Sequence, residues 1–445
     1  MRRAMRFAVL MSLLLWAMTA AAQEYYTQMP PYLQMTQETV SRETADKRIV
    51  RCTYPKTANV QVDGEIRALV DAMAAQGEEL LPAQRPDSTW YLDVGPVITR
   101  TGTSWMSFLT IAEMTGDRQM HSVAFDARVY DMETGERIRM TDLFAPDSAA
   151  WALMEEEVRA QLGAAFPLEE ADRQALDALC SREALEEASF TLGGGRMLLT
   201  YRADSVYPGK NTLLHVELYY SSIRPLMTPR AQEQTDNSRY RMIALTYDDG
   251  CARGNTRSVL DVLRRWGAPA TFFIVGRTIP NNHDILSRQQ NGGYELESHT
   301  YAHEYPDEVT PAQMFENKDL LALTMSSVVG VEPAMMRAPG GMERKYILQG
   351  IGYPLMHWSV ASGDSGSTNA KRCAARVTET AKDGDIVLMH DSNPLCGQYS
   401  EIVLEKLTAQ GFMFVTVEEL FDDWGVPLEP NRVYFSPGRV ESGLD

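Results

Sequence analysis

Hydrophobic residues follow a regular pattern in the C-terminal half of the chain, from about residue 241 onward. Seven short apolar runs are separated by stretches in which apolar residues recur at helical spacing, as in GNTRSVLDVLRRWG (254–267). The runs are MIALT (242–246), ATFFIV (270–275), YELE (294–297), AMMR (334–337), YPLMHW (353–358), DIVLM (385–389) and FMFVTV (412–417). Strands that alternate with helices in this way predict a parallel sheet, either doubly wound or closed as a (β/α) barrel.

The N-terminal half has a different pattern. Residues 30–223 combine strand-like runs, such as SWMSFLTIAEM (104–114) and SVAFDARVYDM (122–132), with helical stretches such as SAAWALMEEEVRAQL (148–162). ETGERI (133–138) predicts the turn of a hairpin. This mixture predicts a smaller α+β accessory domain. The polar segment 224–240, with two prolines and no periodic pattern, predicts a linker. The regular pattern after it predicts a second domain at 241–425, followed by a C-terminal tail at 426–445.

Residues 1–22 have the layout of a cleavable secretory signal: a basic start, a short apolar run and an Ala-x-Ala pattern that ends at Ala22. An uncleaved N-terminal anchor is the alternative. No later segment is apolar enough to span a membrane, so we expect a secreted or cell-envelope protein. The net charge of −18 argues against nucleic acid or anionic lipid as a partner, and a neutral glycan remains compatible with it. The sequence leaves the oligomeric state and the pairing of the five cysteines open.

Two adjacent carboxylates, Asp248 and Asp249, end the first apolar run. Like charges this close repel, so we expect either solvent or a cation beside them. His299 and His303 follow the third run at spacing i, i+4, which predicts that both imidazoles face the same side of a single helical turn. Strand ends meet at one edge of a parallel sheet, so two imidazoles and a carboxylate would form a three-ligand site. Such a site keeps a position open for water, which suits catalytic zinc.

Three more polar residues lie at or after the ends of later apolar runs. Arg337 is the last residue of the fourth run, Asp364 comes after a short loop, and His390 directly follows the sixth run. A fixed guanidinium can hold a free carboxylate in place, and an imidazole is the natural proton carrier near neutral pH. Taken singly, Arg337 would be a surface salt-bridge residue and Asp364 a turn residue. If these residues lie at the same sheet edge as the three ligands, together they indicate a catalytic site.

The order of these motifs resembles that of the polysaccharide deacetylase family, the NodB-homology domain of carbohydrate esterase family 4. TYDDG (246–250) matches its T-F-D-D-G motif, HTYAH (299–303) its H-[ST]-x-x-H motif, RAP (337–339) its R-x-P motif and LMH (388–390) its L-x-H motif. The resemblance extends from Met242 to Leu420. It implies a distorted (β/α)7 barrel, here preceded by the smaller α+β domain.

The resemblance also implies a role for each motif residue. Asp249, His299 and His303 would bind a divalent metal, with zinc as the first choice and cobalt, nickel or manganese as alternatives. Asp248 would be the general base, oriented by Arg337, and His390 would be the general acid, supported by Asp364. Gly340, Tyr247 and Leu388 would contact the substrate or its oxyanion.

Two motifs depart from the family pattern. The family usually carries an aromatic residue after R-x-P, and Gly340 stands there in this chain. The D-x-x-D-W motif is replaced by ASGDS (361–365), which keeps Asp364 and lacks the outer aspartate and the tryptophan. The base, the metal ligands and the acid are intact, so we expect activity. We expect these two departures to change the shape of the substrate groove and therefore the fit of the substrate.

These observations predict a secreted, metal-dependent hydrolase that removes N-acetyl groups from amino sugars of peptidoglycan or of chitin-type oligomers. One alternative is an O-acetyl xylan esterase that uses the same site. Another is a non-catalytic glycan-binding or sensing protein, although binding alone would not need Asp248 and His390. A 2-His-1-carboxylate iron oxygenase is disfavoured by the parallel pattern and the export signal. The segment VYDMETGERIRMTDLF (129–144) weakly resembles the extracellular domain of some anti-sigma factors and cell-wall deacetylases, and the ligand of that domain stays open.

Overall fold

The computed structural model describes residues 25–44, 48–81, 89–167, 171–342 and 344–441. The predicted signal segment 1–22 lies outside the described residues. Within the described part, every helix is too short or too polar to cross a bilayer. Two regions of different architecture follow each other along the chain, and strands of one region do not pair with strands of the other.

The N-terminal region contains two sheets. Its strands are β1 (Met35–Glu43), β2 (Ile49–Thr57), β3 (Tyr91–Thr101), β4 (Trp105–Gly116), β5 (Gln119–Asp131), β6 (Arg137–Ile138), β7 (Phe190–Leu192), β8 (Arg196–Arg202) and β9 (Leu213–Tyr219). The first six strands form one sheet in sequence order, and the last three form an antiparallel sheet. Pairing of Tyr130 with Arg137 closes the hairpin that ETGERI predicts.

Among the described residues of this region, six helices accompany these sheets. They are α1 (Val60–Leu80), α2 (Met140–Leu143), α3 (Ala150–Ala164), α4 (Arg173–Leu179), α5 (Arg182–Glu186) and α6 (Tyr220–Ile223). Helix α1 begins at Asn59, whose side chain accepts hydrogen bonds from the backbone N–H groups of Gln61 and Val62. Its apolar side, which includes Val62 and Ile66, is buried in the same core as the strands of the larger sheet.

The segment 224–240 is folded, contrary to the expectation of an irregular linker. It contains helix α7 (Pro229–Gln234), which Thr228 caps at its N-terminus. Met227 and Ala231 are buried in the core of the N-terminal region. The buried amide of Asn237 donates hydrogen bonds to the hydroxyl of Thr101 and to the carbonyl of Gly194. These long-range contacts order a segment whose few apolar residues show no periodicity.

The C-terminal region is built from parallel strands and the helices between them. The strands are β10 (Arg241–Asp248), β11 (Thr271–Ile274), β12 (Glu295–Ser298), β13 (Leu355–Met356), β14 (Val360–Ala361), β15 (Asp385–His390), β16 (Phe412–Val415), β17 (Val433–Ser436) and β18 (Arg439–Glu441). The helices are α8 (Arg253–Trp266), α9 (His283–Asn291), α10 (Pro311–Val329), α11 (Lys345–Gly350), α12 (Ala370–Thr378), α13 (Cys396–Ala409) and α14 (Val417–Asp423).

The parallel strands curve into the distorted (β/α) barrel that the sequence predicts. Strand β10 lies between β11 and β15, and β12 and β14 lie outside them. On one side the sheet continues through single parallel bridges from Ser298 to Met336 and from Met336 to Leu355 in β13. The run AMMR is thus a single bridge rather than a full strand, and β14 is a short strand that the sequence pattern did not predict. Strand β16 pairs with the first half of β10.

The C-terminal segment 426–445, predicted as a tail, contributes to this barrel. Strand β17 pairs in parallel with β13, and β18 returns antiparallel to β17. Tyr434 is fully buried, and the backbone N–H of His357 donates a hydrogen bond to its carbonyl. The segment is therefore integrated into the fold as far as residue 441, the last described position.

Residues along β10 alternate between two cores. Met242 and Ala244 pack into the core that includes the barrel interior, whereas Ile243, Leu245 and Tyr247 pack into the core beneath the outer helices. Side chains of a strand alternate between its faces, so Thr246 and Asp248 share the inward face with Met242. This alternation decides which motif residues reach the interior.

Buried ion pairs join the two regions. Glu113 of β4 is fully buried and lies 3.1 Å from the guanidinium of Arg264 in α8. Asp93 of β3 accepts hydrogen bonds from Arg257 in α8 and from Arg288 in α9, each at 2.8 Å. Both carboxylates belong to the N-terminal region and all three arginines belong to the barrel, so the two regions share a polar, largely buried contact.

Candidate active site

The predicted site residues meet at the carboxyl edge of the barrel. Asp248 ends β10, and it pairs in register with His390 at the end of β15. His299 follows β12, Arg337 follows the Met336 bridge, and Asp364 follows β14. The prediction that polar residues after separate apolar runs would share one edge is confirmed by these positions.

Asp249, His299 and His303 form a candidate metal site. Oδ1 of Asp249 lies 3.5 Å from Nε2 of His299 and 3.4 Å from Nε2 of His303. Nδ1 of His299 lies 2.7 Å from the carbonyl oxygen of Arg337, so it carries the proton and leaves Nε2 free as a ligand. Oδ1 of Asp249 is buried and accepts no hydrogen bond from the described residues. An unsatisfied carboxylate oxygen facing two imidazole nitrogens fits a divalent cation.

The electrostatics of this cluster agree with such a role. Burial lowers the pKa of His299, which favours the neutral imidazole that a metal requires. Burial would raise the pKa of Asp249, but contacts with His303 and His299 hold it well below its usual range. The hydroxyl of Ser392 also donates a hydrogen bond of 2.8 Å to Oδ2 of Asp249. Ser392 lies two residues after His390, and sequence reasoning did not select it.

The backbone that carries the two histidines is not helical, so the prediction of a helical turn is wrong. Thr300 and His303 have left-handed backbone angles, with φ of 64° and 62°. The imidazole rings lie 5.0 Å apart at an angle of 72°. Glu304 holds this loop, because its carboxylate accepts hydrogen bonds from the backbone N–H of Ala302 and from the side chain of Asn317. The two ligands thus converge through a tight loop whose conformation depends on tertiary contacts.

Arg337 holds Asp248. The guanidinium is completely buried, and Nη1 donates hydrogen bonds of 2.7 Å to Oδ1 of Asp248 and to the hydroxyl of Thr246. The remaining nitrogens donate to the carbonyl oxygens of Met356 and His357. Oδ2 of Asp248 faces the metal cluster, 3.8 Å from Nε2 of His299. One carboxylate oxygen is therefore fixed while the other remains directed at the site.

His390 and Asp364 form a hydrogen-bonded pair. Oδ1 of Asp364 lies 2.8 Å from Nδ1 of His390, and Oδ2 accepts the backbone N–H of His390 at 2.8 Å. Burial opposes protonation of His390, but Asp364 and the nearby charge of Asp248 raise its pKa to about 9. Burial also disfavours charge on Asp364, yet hydrogen bonds from His390, Tyr399 and Ser362 keep its pKa below the ordinary value. The arrangement holds a protonated imidazole with Nε2 available to a substrate.

The three residues predicted to contact substrate have different positions. Gly340 lies in the turn Pro339–Gly341 directly after Arg337 and its neighbour Ala338. Leu388 is buried on the same face of β15 as His390, since the two are separated by one residue. Tyr247 is a correction: its side chain faces the outer core, stacks on Phe272 and shares a hydrogen bond of 2.9 Å with the hydroxyl of Ser400. Because side chains alternate between the two faces of β10, the side chain of Tyr247 points away from the site.

A second group of acidic residues, Glu295, Glu297 and Glu418, lies near the opposite end of β12. Its oxygens are occupied: Glu295 accepts the backbone N–H groups of Val417 and Glu418, and Glu297 accepts those of Ala334 and Met335. Burial raises the pKa of Glu295 to about 8. Glu295 and Glu297 thus accept backbone N–H groups and Glu418 accepts the hydroxyl of Tyr219, in contrast to the unsatisfied oxygen of Asp249.

Comparison with known proteins identifies relatives of the C-terminal region. Residues 235–353 match the family model described as polysaccharide deacetylase. A peptidoglycan-N-acetylglucosamine deacetylase of Listeria monocytogenes is 33% identical over 218 residues, 48% of this chain and 44% of that protein. A Bacillus cereus protein of the same description is 32% identical over 188 residues, 40% of this chain and 88% of that protein.

Among solved structures, the carbohydrate esterase domain of a multidomain xylanase from the hindgut metagenome of Trinervitermes trinervoides is 32% identical. The match covers 45% of this chain and 98% of that domain, with a TM-score of 0.43. The similarity to the Bacillus cereus protein extends over most of that protein's length, so the chain belongs to the polysaccharide deacetylase family. It spans less than half the length of the Listeria protein.

Proposed function

We propose that the protein is a secreted, metal-dependent polysaccharide N-deacetylase that hydrolyses N-acetyl groups of amino sugars. The observation that supports this most directly is the arrangement around Asp248. Arg337 fixes one of its oxygens, and the other faces Asp249, His299 and His303. A protonated His390 stands in register across the same edge. This combination would provide a base, a cation site and an acid at one edge of the barrel.

Asp249, His299 and His303 would hold the cation. A divalent cation bound there would polarise the acetyl carbonyl and acidify the attacking water. Two imidazoles and one carboxylate suit zinc best, and cobalt, nickel and manganese accept the same donors. The hydrogen bond from Nδ1 of His299 to the Arg337 carbonyl fixes that ring in the ligating tautomer.

The side chains then divide the proton transfers. Oδ2 of Asp248 accepts the proton of the attacking water, while Arg337 keeps the carboxylate from turning away. The backbone N–H of Gly340, which follows Pro339, would support the developing oxyanion. Nε2 of His390 donates a proton to the departing sugar amine, and Asp364 stabilises the protonated imidazole until that step. The products are acetate and a free amino sugar.

Peptidoglycan is the substrate we favour. Two curated relatives from different genera are described as peptidoglycan-N-acetylglucosamine deacetylases. The leader-like residues 1–22 would deliver the protein to the compartment that contains this polymer. The acidic net charge of −18 is unsuited to nucleic acid, and it does not hinder contact with neutral sugar chains.

The test is acetate release from peptidoglycan, chitopentaose and acetyl-xylan by protein purified with Zn²⁺, with and without chelator. We expect release from at least one amino-sugar substrate, its loss with chelator, and its loss in Asp248→Asn. Asp147→Asn, at an exposed position in the N-terminal region, is the matched control and should act like the wild type.

His303→Ala should lose the bound metal, measured by elemental analysis after purification. Release from acetyl-xylan alone would replace the proposal with an O-acetyl esterase. No release from any substrate, or full activity in Asp248→Asn, would overturn it, and tight chitopentaose binding without release would indicate a glycan-binding protein.

A further inference from the structure

The turn after Arg337 contains two glycines that lie against aromatic rings from elsewhere in the chain. Gly340 and Gly341 have left-handed backbone angles, with φ of 70° and 62°. A Cβ atom on Gly340 would lie 3.0 Å from Cε1 of Tyr305, and one on Gly341 would lie 2.7 Å from Cη2 of Trp358. The space that a side chain at position 340 would take is thus occupied by the ring of Tyr305.

Tyr305 lies at the rim of the candidate active site. Its ring centroid is 5.2 Å from that of the metal-site residue His303, and the two rings meet edge to face at 85°. The side chain is 38% exposed, and its hydroxyl forms no hydrogen bond with the described residues. A large aromatic ring held half exposed beside a polar cleft contributes less to the core than a buried one, so packing alone does not explain its position.

The loop around Tyr305 is fixed on both sides. The hydroxyl of Tyr346 donates a hydrogen bond of 2.8 Å to the carbonyl of Pro306, and Asp307 forms an ion pair with Arg344. On the other side, Asn317 donates a hydrogen bond of 2.6 Å to the carboxylate of Glu304. The ring is therefore held in place before any ligand arrives, which lowers the entropic cost of using it as a binding surface.

We propose that Tyr305 forms the aromatic wall of the sugar-binding groove, in the place left open by Gly340. This inference rests on the proposed function and names the residue that contacts the glycan beside the reacting group. The apolar face of a pyranose ring would lie against the Tyr305 ring, and the unpartnered hydroxyl would serve a sugar hydroxyl. Glycine suits position 340 because its φ of 70° is left-handed and a Cβ atom there would press on that ring.

Binding of chitopentaose tests this without reliance on turnover. The parent is the zinc-loaded Asp248→Asn protein, in which hydrolysis is blocked, and the readout is the Kd from titration calorimetry. We expect Tyr305→Ala to weaken binding by about fivefold to tenfold. Tyr305→Phe, which keeps the ring, should stay within about threefold of the parent. Tyr32→Ala is the matched control, because Tyr32 is also 38% exposed and lies in the N-terminal region.

A structural role for Tyr305 would give a different result. The proposal requires that Tyr305→Ala keep the zinc affinity and the thermal midpoint of the parent. An unchanged Kd in Tyr305→Ala, a Kd change matched by loss of zinc, or no chitopentaose binding by the parent would each overturn it. If the wild type releases acetate and Tyr305→Ala retains the wild-type kcat/KM, the proposed role of Tyr305 as an aromatic wall is wrong and the deacetylase proposal stands. Binding that depends on Tyr305 without acetate release would overturn only the proposed reaction.

Discussion

Replacement of Asp364 by asparagine should move the alkaline limit of activity to lower pH. Asp364 is almost completely buried and touches His390 twice, at Nδ1 and at the backbone N–H. With this partner the pKa of His390 is about 9, against an ordinary value of 6.5. Asparagine keeps the size and most of the hydrogen bonding but removes the charge. The change therefore isolates the electrostatic support of the imidazolium.

The structure sets the magnitude of the effect. The full shift of His390 corresponds to roughly 3 kcal/mol of preference for the charged ring, and Asp248 and Asp249 supply part of it. Loss of the Asp364 charge should lower the pKa of His390 by about one to two units. Since the general acid must be protonated, kcat/KM should fall above about pH 9 in the wild type and above about pH 7 to 8 in Asp364→Asn.

The assay is the pH profile of acetate release with zinc in excess, together with urea unfolding at several pH values. Because the folded pKa of His390 is raised, its protonation contributes stability that is complete below pH 6.5 and is lost as the pH rises through about 9. The difference in the free energy of unfolding between wild type and Asp364→Asn should therefore decrease as the pH rises from 6.5 to about 9. Asp385→Asn, at the other end of β15, should leave the profile unchanged. An alkaline limit that does not move in Asp364→Asn would refute the reasoning.

Two further substitutions test the fold around the site. Glu113→Gln would leave the buried guanidinium of Arg264 without its carboxylate and would remove one of the carboxylates beside Arg288, which keeps Asp93. The free energy of unfolding should therefore fall by about 3 to 5 kcal/mol in urea denaturation, while Glu79→Gln on the surface of α1 should change it little. Equal stability of the two variants would contradict a firm junction between the regions. Tyr247→Phe should retain the wild-type kcat/KM and lose about 1 kcal/mol of stability, because the hydroxyl of Tyr247 forms a hydrogen bond with Ser400 in the outer core. A large loss of activity without a loss of stability would instead place Tyr247 in the substrate site.

The local pattern was sufficient for much of the barrel and for the nature of its site. Apolar runs of strand length and helical runs between them depend on residue type alone, so they can be recognised in the sequence without knowledge of tertiary contacts. Asp248, His299, Arg337 and His390 each lie at or just after the end of such a run, and parallel strands bring their ends to one edge. Side chains alternate along β10, so Tyr247 is expected to face away from Asp248. The motif match favoured Tyr247 as a substrate contact although this alternation argues against it.

Other features depend on contacts between distant segments. His303 reaches Asp249 through a left-handed loop and not through a helical turn, because Glu304, Asn317 and the barrel edge hold that loop. Residues 224–240 and 426–441 carry little periodic signal. Yet the amide of Asn237 donates a buried hydrogen bond to Thr101 of β3, and the carbonyl of Tyr434 accepts one from the backbone N–H of His357, directly after β13.

The sequence by itself determined which chemical groups stand at the strand ends, since composition and spacing are local properties. The motif resemblance implied that Arg337 serves Asp248 and that Asp364 serves His390, and only the tertiary structure decided the geometry of these contacts and placed the Tyr305 ring in the space beside Gly340. Such pairings join residues tens of positions apart. Their geometry follows from the packing of whole elements, which no single stretch of chain encodes.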